Sequence, residues 1–174
     1  MEVAGAPFFY TLATLAVTFA GFAALLLILR QAAGGTLNAL DRFLARTVVG
    51  HLFLIMGGAL LPPMLGLYDL PQAWLWKSSA LAFGLPMLAL LLTYQHRRIA
   101  TTGKAAPPLV VVVFIVIGPI AIAAMIGYVF AGLAHPEAAY ASALGVNFLT
   151  HAFAFVLALD VILRQSAEPT AKPG

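Results

Sequence analysis

Four side chains that can ionise stand inside long apolar stretches of this chain: His51, Lys77, His151 and Asp160. An ionisable group in lipid is costly, so such residues mark sites of ion binding, proton transfer or ligation. His151 lies near the centre of the last apolar run, with Asn147 one turn earlier and Thr150 beside it. On a helix Asn147, Thr150 and His151 form one polar facet. That facet can bind an ion, relay a proton or ligate a haem. It can equally serve as hydrogen-bonding glue between helices. His51, on an earlier run, raises bis-histidine haem ligation with His151 as a further reading. Depth counts against it. If the run begins near Phe43 or Thr47, His51 falls about 7 Å off the level of His151 at about 1.5 Å of rise per residue.

The other polar residues have plainer readings. Asp160 and Arg164 are spaced to pair on one helix face, on the side of that helix away from His151. Lys77 next to Trp76 reads as an interfacial anchor, and His135 beside Glu137 as a loop histidine. Arg42, Arg46, Arg97 and Arg98, with His96, suit anionic lipid headgroups. Thr11, Thr14 and Thr18, followed by Gly21, make a stripe of hydroxyls and small residues down the first run. Facing a pore, the threonines would line a polar path; facing another helix, they permit close packing. Rows of small residues (Ala16, Ala20, Ala24; Ala123, Gly127, Ala131) favour tight helix contacts in the same way.

The elements that must position these groups follow from composition. Of 174 residues, 63% are hydrophobic and 9% charged, far below the quarter charged that a water-soluble domain carries. Five runs are long enough to span a bilayer as helices: Pro7 to Arg30, Phe43 or Thr47 to Tyr68, Trp74 to Tyr94, Leu109 to Ala134, and Ala138 to Leu163. Helices satisfy their own backbone in lipid, and the lack of polar alternation argues against a barrel. The first run lacks the basic start of a secretory signal and reads as a retained helix. A short amphipathic helix is expected around Leu37–Leu44 and a polar loop from Ile99 to Pro108. Pro62–Pro63, Pro86 and Gly118–Pro119 should kink three of the five helices.

With five alternating helices, eight of the nine basic residues collect on one side. The positive-inside rule then puts the N-terminus outside and the C-terminus in the cytoplasm, in a bacterial-type inner membrane. The expected fold is an all-α, polytopic, five-helix domain over residues 1–164, with a short tail over 165–174.

The absence of cysteine removes disulfides and thiolate chemistry. No protease, hydrolase, nucleotide or calcium motif occurs, and no carboxylate cluster suits a dimetal site. No catalytic residue, metal site or nucleic-acid partner is therefore expected, and no cofactor beyond the haem alternative. Three functional readings remain. One is an oligomeric channel or transporter-like protein with a polar path from Thr11, Thr14, Thr18, Asn147, Thr150 and His151. The second is a non-catalytic subunit or scaffold in a membrane assembly. The third is a haem- or quinone-binding redox anchor on His51 and His151. Membrane lipids, and a second copy or another membrane protein, are the expected partners.

Overall fold

The computed structural model describes residues 3–32 and 37–167, with side chains up to residue 156. The described chain is all-helical: α1 (Ala6–Ala32), α2 (Ala39–Gly66), α3 (Gln72–Leu92), a short α4 (Tyr94–Thr102), α5 (Pro108–Phe130) and α6 (Pro136–Ala167). Five of these, all but α4, are long and apolar enough to cross a membrane. Their packing suits lipid rather than water. α1 turns Ala13, Ala16, Ala20 and Ala23 inward and leaves Phe8, Leu15, Phe22, Leu25 and Ile28 exposed. Small residues inside allow backbones to approach closely, while bulky apolar side chains outside need an apolar solvent. The two alanine rows read from the sequence fall differently. Ala24 is exposed, and Ala123, Gly127 and Ala131 all lie on the outer face of α5, whose inner face is Ile122, Met125 and Val129.

Two boundaries depart from the sequence reading. The amphipathic segment at Leu37–Leu44 is not a separate helix, because α2 starts at Ala39 and runs on without a break. Asn38 accepts from the Asp41 amide at 2.9 Å, and the Asp41 carboxylate accepts from the Asn38 amide at 3.0 Å. This reciprocal cap satisfies two amides that a helix start would otherwise leave bare. Arg30, at the end of α1, adds an ion pair to buried Asp41 at 2.8 Å, tying the two helices together. The polar stretch after Tyr94 is helical as far as Thr102, where Gly103 adopts φ 68° and ends α4.

Pro62 and Pro63 lie inside α2 and Pro86 inside α3, and both helices continue through them. Pro62 has no amide hydrogen, so the Gly58 carbonyl four residues back lacks its helical partner. The Tyr140 hydroxyl of α6 donates to that carbonyl at 2.7 Å. In α5 the backbone widens into a π-helical segment, Val112–Ile117, immediately before Gly118 and Pro119. A π turn is one way for a helix to accommodate a missing donor.

The α2–α6 register follows from one contact. Gly58 lies against Phe83 of α3 and Leu144 of α6, so closely that a Cβ there would come within 2.5 Å of the Phe83 ring. Gly58 is seven residues after His51, and Leu144 is seven residues before His151. On antiparallel helices those two offsets bring His51 and His151 to the same level. Around this contact, Tyr140 packs against Phe9, Trp76 and Phe83, with ring centres 5.8–6.0 Å apart.

Candidate functional site

The imidazoles of His51 and His151 meet between α2 and α6, with ring centroids 4.5 Å apart and planes tilted by 32°. Both are buried, at 1% and 0% exposure. The depth offset inferred from the sequence does not exist, and the cap at Asn38 explains why. With α2 beginning at Ala39, His51 stands 12 residues from its start and 15 from its end. His151 stands 15 and 16 residues from the ends of α6. Each is a mid-helix residue.

Both rings are held in the same way. His51 Nδ1 is 2.6 Å from the Thr47 carbonyl oxygen, and His151 Nδ1 is 2.6 Å from the Asn147 carbonyl oxygen. A carbonyl only accepts, so Nδ1 carries the hydrogen in both rings and each Nε2 presents a lone pair. Neither Nε2 has a hydrogen-bond partner. Asn147, fully buried, donates Nδ2 to the Ala143 carbonyl at 2.8 Å, which leaves Oδ1 an unpartnered acceptor near Gly118. Three acceptors therefore share this part of the core without a donor. A buried polar atom without a partner costs about 1–3 kcal/mol, so the cluster is poised for something that supplies a hydrogen or a positive charge.

Aromatic rings enclose it. Phe114, on the π-helical segment of α5, stands edge-on to His51 and His151 at 6.3 and 4.9 Å. Tyr94 stacks on Phe114 at 5.2 Å, and Phe43 tilts against Tyr94. Arg98 donates to the Tyr94 hydroxyl at 3.3 Å. Beside this stack a cleft of about 350 Å³ opens between α2 and α4, lined by Arg46, Thr47, His96, Arg97 and Thr101. Thr47 joins cleft and pair, since its carbonyl holds His51.

Apart from Thr150, which shares the Asn147 carbonyl with His151 and stands 3.4 Å from its Nδ1, the remaining sequence candidates are not drawn into this site. Thr11, Thr14 and Thr18 are exposed on α1 and donate to the carbonyls of Pro7, Tyr10 and Thr14 in their own helix. They lie on the outside of the bundle, whereas Asn147 and His151 are sealed within it. One chain therefore does not assemble a path from both facets. Thr150 is half-buried and donates to the Asn147 carbonyl at 2.8 Å. Arg42 is exposed away from the cleft, and Arg98 is turned inward to Tyr94. Lys77 sits over the Phe130 ring at 5.5 Å, and His135 pairs with Glu137 at 3.1 Å. The Asp160–Arg164 pair lies outside the residues whose side chains are described.

Among the described residues no group of three or more His, Cys, Asp or Glu side chains could hold a metal. A haem with both histidines as axial ligands would have to pass its macrocycle between the two rings, and 4.5 Å between centroids leaves no gap for it. Sequence reasoning missed Phe114 and Tyr94, for which the apolar pattern holds no signal. It also missed the Tyr140–Gly58 bond, although Pro62 does announce a carbonyl in need of a donor. Comparison with protein-family profiles, with curated proteins and with solved structures finds no match to this chain.

Proposed function

We propose that this chain is a transporter-like multi-pass protein of a bacterial-type cytoplasmic membrane, carrying a proton or small cation through the His51–His151 pair. The observation that carries this reading is the pair itself: two mid-helix imidazoles with fixed tautomers and unpartnered Nε2 lone pairs. A cation bound there exchanges its hydration for nitrogen donors already in place. Because the pair is sealed, it would be opened to each side in turn, as in carriers, rather than lie in a standing pore. The N-terminus outside and the arginine-rich end in the cytoplasm follow from the positive-inside rule. In keeping with this, Arg30, Arg46, Arg97, Arg98 and Lys104 gather at one end of the bundle and Lys77 at the other.

The test is flux in proteoliposomes with a pH-sensitive or cation-sensitive dye inside. Wild-type protein gives flux, His51→Phe or His151→Phe abolishes it, and Thr18→Val leaves it unchanged. A loss with Thr18→Val would favour a path along α1 instead. No flux over a range of pH and cations would overturn the reading and favour a non-catalytic subunit of a larger assembly. That second reading draws on the exposed Thr11, Thr14, Thr18 and Gly21 face of α1, where nothing lies within 4 Å of a Cβ placed at Gly21. A second copy or another membrane helix can pack there closely.

A further inference from the structure

We infer that the cleft between α2 and α4 is an anion site that takes a phosphate group, one helical turn from the histidine pair. Three basic side chains line it: Arg46 from α2, with His96 and Arg97 from α4. α2 and α4 are thus held with their cationic faces towards one space of about 350 Å³, enough for a phosphate and the start of whatever carries it. Arg46 and Arg97 have no ion-pair partner among the described residues. Asp41 is committed to Arg30 and to the α2 cap, and Glu137 pairs with His135 at the opposite end.

Arg97 is also oriented. Its Nη2 donates to the Leu90 carbonyl at 2.7 Å, which fixes the guanidinium, while its Nε is buried with no partner. A guanidinium held at one nitrogen with another donor unused is preorganised for an oxyanion, and phosphate offers the geometry that a guanidinium fork matches. Phe43 and Ala100 add apolar wall beside the hydroxyl-bearing Thr47 and Thr101, which suits a phosphate attached to a hydrophobic body. Arg42, on the same helix but outside the cleft, provides a control of equal charge. A phospholipid headgroup and a soluble phosphate ester share the chemistry that this site reads.

The experiment measures a fluorescent phosphatidylglycerol binding to the full chain in a neutral detergent, with inorganic phosphate as soluble competitor. The reporter should bind wild type, and Arg46→Gln and Arg97→Gln should each weaken it about tenfold, the loss of one charge-assisted contact. Arg42→Gln should change it less than about twofold. Displacement by inorganic phosphate supports the site and assigns it to soluble phosphates. Displacement by unlabelled phosphatidylglycerol alone supports it and assigns it to a headgroup. An equal loss with Arg42→Gln, or wild-type binding by the Arg46→Gln/Arg97→Gln double variant, overturns the inference. A second readout needs no variant. The ring nitrogens of His96 should shift on binding while those of His135 do not, and no shift at His96 also overturns it. Neither measurement depends on flux, so this site and the proposed transport can fail separately.

Discussion

Gly58→Ala tests the helix register that brings the histidines together. The new methyl would lie 2.5 Å from one Phe83 ring carbon, 2.9 Å from another and 3.2 Å from a Leu144 methyl. Phe83 and Leu144 are both at 0% exposure, so neither ring nor methyl can swing into solvent. Overpacking of a well-filled site costs about 1–3 kcal/mol. Replacing glycine by alanine in a helix returns up to about 1 kcal/mol, as measured in water. Gly57 is the matched control, because nothing lies within 4 Å of a Cβ there. Gly57→Ala should therefore be neutral or stabilising by up to about 1 kcal/mol. The helix-propensity gain is common to both, so the two variants, one residue apart, should differ by the overpacking cost of about 1–3 kcal/mol. Reversible unfolding of the purified chain in mixed detergent and dodecyl sulfate micelles, followed by circular dichroism, measures this difference. Equal midpoints for the two variants would mean that Gly58 does not face Phe83 and Leu144. The antiparallel register that levels His51 with His151 would fall with it.

Further expectations rest on other contacts. Tyr140→Phe removes the donor to the carbonyl that Pro62 leaves bare and should cost about 1 kcal/mol in the same unfolding assay. Arg30→Gln strands the buried Asp41 carboxylate and should cost about 1–3 kcal/mol. Adding Asp41→Asn should restore most of that stability, since it removes the unpaired charge and keeps a side-chain acceptor at the helix start, as a double-mutant cycle will report. Haem-supplemented expression should yield protein without a Soret band, because the two rings leave no room for a macrocycle between them. A stoichiometric Soret band lost in His151→Phe would refute that geometry.

The spans were legible because length and apolarity alone decide whether a helix can cross a bilayer. The Asn147, Thr150 and His151 facet was legible from helical spacing. The partnership of His151 with His51 was hidden by the start of α2. Ala39 to Arg42 read as part of a separate short amphipathic helix around Leu37–Leu44, yet Asn38 and Asp41 carry the spacing of a reciprocal cap. Taking the helix back to that cap moves its midpoint to within two residues of His51. The facing of the Thr11, Thr14 and Thr18 stripe was not legible for a different reason. In a helix a threonine hydroxyl can bond the carbonyl one turn back, as all three do. Their polarity thus gives no preference for inside or outside. The rings around the site were unreadable because Phe114 and Tyr94 resemble every other aromatic in an apolar chain.

The His51–His151 contact is tested most directly by solid-state NMR of the chain in lipid bilayers, labelled only at histidine. With four histidines in the sequence, the spectrum resolves into single residues. The account predicts a through-space cross-peak between the rings of His51 and His151, lost in either His→Phe variant. It also predicts an Nε2 shift typical of an unprotonated ring nitrogen at both positions under neutral conditions, in line with both Nδ1 atoms donating to carbonyls. Two isolated ring systems with no cross-peak, or an Nδ1 lone pair at either histidine, would contradict it.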